Sequence, residues 1–350
     1  MHRERQTQYA TRVRTESLQS ILFGVQGARQ LLPKVFAIAT MINYILECGC
    51  DFVTSIGMSH DSACAAAADS SSRIHVWSLT TGEFRGQLAL PHTDSRYTTV
   101  EWVEFLPEGL ELLALDSDGC LWHWHLDSHD CRQVGERDSP IAIAALARTG
   151  QLAALGTDHG AILLWDVRQD QLFDVLKEGE RRETLITALA SSPTGSSVAV
   201  AKEDDTSIHI YSAADGLCNR MRGHSDVILS IDYSPNGLFV ASASRDNSVR
   251  LWEVEHGRQV AVAHGPGNII RAVAFSPTGR LLAIGNGYRS FSTNNPASVV
   301  SLFQVPAMSE VGSLAGHLDS VECLYFSQDG QALASGGHDG RVIVWEIREN

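Results

Sequence analysis

The stretch Gly223-His224-Ser225-Asp226-Val227-Ile228-Leu229-Ser230-Ile231-Asp232-Tyr233-Ser234-Pro235-Asn236-Gly237-Leu238-Phe239-Val240-Ala241-Ser242-Ala243-Ser244-Arg245-Asp246-Asn247-Ser248-Val249-Arg250-Leu251-Trp252-Glu253 decides how this chain folds. An alternating strand, Ile231-Asp232-Tyr233, runs into the tight turn Ser234-Pro235-Asn236-Gly237. Proline presets one turn dihedral and glycine supplies the positive φ that such a turn needs. A strand of small residues follows at Ala241-Ser242-Ala243-Ser244, where short side chains let neighbouring strands approach closely. The stretch closes on an apolar run ending in an aromatic, Val249-Arg250-Leu251-Trp252.

Working outward, the same features recur. Strand-and-turn copies stand at Leu189 to Gly195, Val273 to Gly279 and Tyr325 to Gly330. Apolar runs close on Trp77, Trp124, Trp165, Tyr211, Trp252, Phe303 and Trp345, at spacings of 47, 41, 46, 41, 51 and 42 residues. A period of about 40–45 residues with four short strands per unit is the period of a β-propeller blade. Seven such runs predict an all-β, seven-bladed propeller. The length of 350 residues suits one large closed ring as well as two smaller domains.

These residues resemble the WD-repeat (WD40) family, whose unit carries Gly-His, a strand, a Ser-Pro-Asp-Gly-like turn, a small-residue strand, Asp, and a strand ending in Trp-Asp. Gly223 to Glu253 and Gly316 to Glu346 match nearly throughout, and the resemblance extends in degenerate form over about residues 50 to 350. It implies a seven-bladed WD40-type propeller and, in each good blade, four hydrogen-bonded residues. In this chain those are His224, Ser242, Asp246 and Trp252, and then His317, Ser335, Asp339 and Trp345. Ser, His and Asp could suggest a nucleophilic triad, but their recurrence at blade spacing favours a structural role. The third unit has His159 at the Asp position, the fourth has Tyr211 for Trp, and the sixth has Ala297 for Asp and Phe303 for Trp. Those blades are expected to lean on packing.

The last unit reaches only its third strand, and in the family an N-terminal strand completes that blade. The apolar run Phe36 to Leu46 supplies one, placed at about Thr40 to Leu46. That divides the chain into an extension, 1–35, and a propeller, 36–350. Within the extension, Leu18, Ile21, Leu22, Val25, Ala28, Leu31 and Leu32 recur at helical spacing and predict a short helix over Glu16 to Leu32. The uncharged run Val35 to Leu46 starts too late for a secretory signal and is too short for a bilayer, which takes roughly 20 apolar residues.

A formal net charge of −14 argues against general nucleic-acid binding, which needs clustered Lys and Arg, and favours protein partners. Seven Cys without a regular framework read as reduced thiols of an intracellular protein, cytoplasmic or nuclear. Cys48 and Cys50 have no second pair to complete a metal site. Cys120, His123, His125, His129 and Cys131 fall in one stretch of ligand-type residues, but alternation puts His123 and His125 on one face of a strand whose other face carries Trp122 and Trp124. That reads as a polar strand face, and no metal or other cofactor is expected.

Walker, dinucleotide and His-Glu-x-x-His signatures are absent from the sequence. An enzymatic propeller would need ionisable groups converging in the central channel. The leading expectation is a non-catalytic scaffold or adaptor that binds proteins or peptides within a multiprotein complex. Its candidate contacts are Tyr288, Arg289 and Phe291 in the longest insertion, with Arg96, Tyr97, Arg181 and Arg182 on the same face. The alternative is a substrate-receptor subunit of a cullin-RING ubiquitin ligase. It rests on the Trp-Asp-x-Arg ending at Trp165-Asp166-Val167-Arg168, partly repeated at Trp345-Glu346-Ile347-Arg348.

Overall fold

The computed structural model describes residues 10–11, 39–90, 98–108, 110–128, 130–134, 140–176, 184–212, 214, 216–266, 269–287 and 298–348. These residues form seven antiparallel sheets, and none of them is helical. The expected helix over Glu16 to Leu32 lies outside them. Six sheets have four strands each in simple up-and-down order; the first is Val53–Met58, Cys64–Asp69, Arg73–Ser78 and Phe84–Ala89. The innermost strands of successive blades touch in cyclic order, from Val53–Met58 round to Val321–Phe326 and back, so the sheets form a closed ring.

The seventh blade takes its outer strand from the other end of the chain. Ala39–Glu47 runs antiparallel to Arg341–Arg348, with Tyr44 opposite Val344 and Leu46 opposite Val342. Leu46 is fully buried, and the Cys48 amide donates to the Gly340 carbonyl at 3.2 Å. A short strand unforeseen from the sequence, Ala10–Thr11, pairs with the far side of Ala39–Glu47. It covers part of an edge that would otherwise present unpaired backbone groups.

The core lies between blades rather than within them. Each cluster of buried apolar side chains spans two neighbouring sheets. One joins Ala66 and Val76 of the first blade to Val103 and Trp122 of the second, and another joins Leu46 and Val344 of the last blade to Ile56 and Trp77 of the first. The second strands are small or β-branched, as in Cys64–Asp69 and Phe239–Ser244, so that facing sheets can close on one another.

The Ser-Pro-x-Gly turns serve two ends. The Ser234 hydroxyl donates to Asn236 Oδ1 at 2.7 Å and accepts from the Phe239 amide at 2.8 Å, which pins the hairpin. Gly279 sits at φ +69°, and a Cβ there would stand 3.3 Å from Pro235 of the preceding blade. Gly330 lies against Pro277, and Gly237 against Pro193, in the same way. The turn proline of one blade thus packs under the turn glycine of the next.

Candidate functional site

In the fifth blade, Trp252 Nε1 donates to Ser242 Oγ at 2.8 Å, Ser242 Oγ lies 2.7 Å from His224 Nε2, and His224 Nδ1 lies 2.8 Å from Asp246 Oδ2. The indole can only donate. The chain of protons is therefore set: the Ser242 hydroxyl donates to His224 Nε2, and Nδ1–H donates to the carboxylate. Burial opposes ionisation of Asp246, but the Ser248 hydroxyl, the Ser225 amide and His224 outweigh it and hold the carboxyl at about 2. Burial also pushes His224 below the usual imidazole value. In the seventh blade Trp345 Nε1 donates to Ser335 Oγ at 2.9 Å, Ser335 Oγ lies 2.8 Å from His317 Nε2, and His317 Nδ1 lies 3.0 Å from Asp339 Oδ1. Ser242 and Ser335 are both fully buried, so neither hydroxyl faces solvent as a nucleophile must.

The first, second and fourth blades carry links of other kinds, and of the blades expected to lean on packing the fourth therefore does not do so alone. In the first blade Asp69 Oδ2 lies 2.7 Å from His75 Nε2. In the second, Trp122 Nε1 donates to Asp116 Oδ2 at 2.8 Å and the Thr98 hydroxyl donates to Asp118 at 2.7 Å. In the fourth, Asp205 Oδ2 lies 2.9 Å from His209 Nε2. In the first and second blades the bonded residue stands two places before the closing Trp. The indole nitrogens of Trp77 and Trp124 are buried without a hydrogen-bond partner.

The seven innermost strands surround a central cavity of about 490 Å³. One register position, next to last in each strand, forms a layer around the axis. It carries Gly57, Ala145, Ala190 and Ala274 in four blades, and Glu104, Asp232 and Tyr325 in the other three. Gly57 lies directly beside Glu104, whose Cα would be 3.4 Å from a Cβ at position 57. Small residues leave the space, and the polar three point chemistry into it. The Tyr325 hydroxyl donates to Glu104 Oε1 at 2.6 Å, and the Phe275 amide donates to Asp232 Oδ2 at 2.7 Å. Arg148, from a turn of the third blade, lines the same cavity. Burial pushes Glu104 up to about 7, against the Tyr325 bond and the Arg148 charge, and pushes Asp232 up to about 6, against Arg148.

Sequence reasoning missed this group. The signal was the residue just before the aromatic of each strand-turn copy, as in Asp232-Tyr233-Ser234 and Tyr325-Phe326-Ser327. The contact residues expected from the sequence, Arg96, Tyr97, Arg181, Arg182, Tyr288, Arg289 and Phe291, lie outside the described residues, as do Ala297 and His129.

The ligand-type stretch of the second blade divides between two faces. Cys120 and Cys131 pack against the apolar cluster that holds Trp122 and Trp124. His123 and His125 lie on the other face, where they meet Glu111, a residue not grouped with them in the sequence. The signal for Glu111 was strand register, since it is the cross-strand partner of His125. Cys48 and Cys50 lie beside the closing strand, and all seven cysteines are free thiols. Arg168 of the Trp-Asp-x-Arg ending is ion-paired with Glu108, and Arg348 with Glu346. No helix among the described residues is long and apolar enough to cross a membrane.

Comparison with known proteins gives a consistent result. The family described as WD domain, G-beta repeat matches residues 216–253 and 308–346, which include most of the fifth and seventh blades. Angio-associated migratory cell protein of Homo sapiens is 30% identical over a region covering 44% of this chain and 34% of that protein. Transcriptional corepressor LEUNIG_HOMOLOG of Arabidopsis thaliana is 24% identical, covering 84% of this chain and 35% of that protein. Periodic tryptophan protein 2 homolog of Mus musculus is 22% identical, covering 76% and 35%. The chain thus spans about a third of the length of these curated relatives.

Proposed function

The chain belongs to the WD-repeat β-propellers, and from that premise we propose that it is a non-catalytic scaffold or adaptor that holds protein or peptide partners over the mouth of its ring. The observation that carries this reading is the charged cavity on the ring axis. Two carboxylates of the axial layer, Glu104 and Asp232, face one guanidinium, Arg148, in a space that Ala145, Ala190 and Ala274 help to keep open. The surplus carboxylate favours a basic side chain from a partner. Glu104 is held by the Tyr325 hydroxyl from two blades away and Asp232 by the Phe275 amide of the next blade, so the cavity is preorganised for binding. Local charge governs such contacts even where the whole molecule is acidic.

The residues expected from the sequence to contact a partner are proposed as the second part of the grip. Tyr288, Arg289 and Phe291, with Arg96, Tyr97, Arg181 and Arg182, are the residue types that dominate interface energies. They would take the acidic or extended parts of the same partner. The relatives include a protein named as a transcriptional corepressor, which is in keeping with an intracellular scaffold in the cytoplasm or nucleus. The narrower reading, a ubiquitin-ligase substrate receptor, rests on the Arg168 ending and its partial copy at Arg348, and is tested by co-purification with a ligase adaptor.

The deciding experiment is recovery of native partners, read by mass spectrometry, with three proteins side by side: wild type, Glu104→Gln with Asp232→Asn, and Arg289→Ala with Phe291→Ala. A hot-spot loss of about 2 kcal/mol corresponds to roughly thirty-fold weaker capture. Each double variant should lower recovery of the same partners to that extent. Undiminished recovery by both variants would move the binding site to another face of the ring and defeat the proposal.

A further inference from the structure

We propose that Glu111, His123 and His125 form a zinc(II) site at the seam between the second and third blades, independent of the binding reading above. The two imidazoles come from alternate positions of one strand, Leu121–His125, and the carboxylate from the start of its neighbour, Glu111–Asp116. A single carboxylate serves both rings: Glu111 Oε2 lies 2.7 Å from His123 Nε2, and Oε1 lies 3.4 Å from His125 Nδ1. All three ligand atoms fall within 4.8 Å of one another. Tetrahedral zinc, with bonds of about 2.0–2.2 Å to nitrogen and oxygen, needs its ligand atoms about 3.3–3.5 Å apart. Small side-chain rotations bring the present spacing to that value, and the paired strands keep the backbones in place.

Two imidazoles and a carboxylate are a zinc donor set that leaves one position for water or a partner's ligand. His125 is 45% exposed, which opens an entry path, while His123 at 7% is held firmly below it. Cys120 and Cys131 take no part, because they lie on the opposite face of the sheet.

One neighbour opposes the metal, and it sharpens the test. Arg132 Nη2 stands 3.4 Å from His123 Nδ1 and points a donor at it. When Nε2 binds zinc, the ring proton must sit on Nδ1, facing that guanidinium. Arg132 already has another partner in Asp170, at 3.0 Å, to which it can retreat. Removing Arg132 should therefore strengthen binding, an effect that general damage to the fold would not produce.

The experiment is calorimetric titration of zinc chloride into the tag-free full chain, after stripping with a chelator and removing it. Cobalt(II) absorption in parallel reports the geometry. One equivalent of zinc is expected at micromolar affinity or better, with a tetrahedral cobalt spectrum. Glu111→Gln and His125→Ala should each weaken uptake at least ten-fold, and Arg132→Gln should tighten it. His256→Ala should leave it unchanged, as a control for the more exposed group of Glu253, Glu255 and His256. Melting temperatures of all variants in chelator establish that each is folded. Absence of zinc uptake, uptake insensitive to Glu111→Gln and His125→Ala, or uptake abolished by His256→Ala would overturn the assignment.

Discussion

Replacing Asp246 by Ala tests whether the four-residue links hold the ring. The His224 side chain is fully buried, and its Nδ1–H has its charged acceptor in Asp246 Oδ2. The Ser225 amide, at 3.0 Å, and the Ser248 amide, at 2.9 Å, also donate to this carboxylate. Stranding a buried donor costs about 1–3 kcal/mol. The carboxyl's descent from 3.8 to about 2 gives a second view of the same contacts, about 2–3 kcal/mol at roughly 1.4 per unit. The two figures describe one set of bonds and are not added. In a chain of this size that loss should lower the melting temperature by roughly 2–5 °C at pH 7. Because the folded-state pKa is depressed, the carboxylate's contribution is present above the unfolded value and is lost as pH falls through about 2. Between pH 4 and pH 2 the deficit of the variant should therefore narrow. The assay is thermal unfolding of wild type, Asp246→Ala and the exposed control Glu255→Ala across pH 2 to 7. A variant that melts with the control at pH 7, or a deficit that widens below pH 4, would refute the reasoning.

Two other outcomes are expected. Deleting residues 1–47 removes Ala39–Glu47 and leaves Arg341–Arg348 as an open edge, so the truncated chain should aggregate; a soluble, monomeric and equally heat-stable product would show that ring closure does not depend on this strand. Glu104, raised by burial to about 7, binds more protons folded than unfolded, so wild type should lose stability as pH rises from 5 to 8 while Glu104→Gln loses less; equal slopes in the two melting series would remove the buried charge from the account.

The architecture was legible because its signals are local and repeated. Turns such as Ser276-Pro277-Thr278-Gly279 mark hairpins in four units, and a run ending in an aromatic marks each of the seven, without reference to distant residues. Alternation correctly separated His123 and His125 from Trp122 and Trp124. What a linear reading lacks is cross-strand register and angular position in the ring. Glu111 is twelve residues from His123 in sequence, yet bonds to it because a hairpin folds one strand onto the next. Glu104 and Tyr325 are separated by 221 residues and meet only when seven blades close. The degenerate blades misled for a related reason. A missing member of the four predicts packing alone in the fourth blade, whereas Asp205 there reaches His209, and elsewhere Asp116 reaches the earlier tryptophan of the next strand and Asp69 reaches His75.

The placement of these links bears on how the ring tolerates a charged axis. A carboxyl raised by burial is one whose charged form is disfavoured in the folded state, so Glu104 and Asp232 each act against stability near neutral pH. Asp232 stands in the fifth blade and Tyr325 in the seventh, the two blades in which Trp, Ser, His and Asp are joined end to end. Glu104 stands in the second blade, which carries two links of its own, Trp122 to Asp116 and Thr98 to Asp118. The polar members of the axial layer thus belong to strongly linked blades, and blades one, three, four and six contribute Gly57, Ala145, Ala190 and Ala274. Local cost at a site, offset by structure nearby, is the pattern expected of a position kept for binding. A propeller selected for stability alone would fill the same layer with apolar side chains, as Ala190 and Ala274 do where they join the inter-blade clusters.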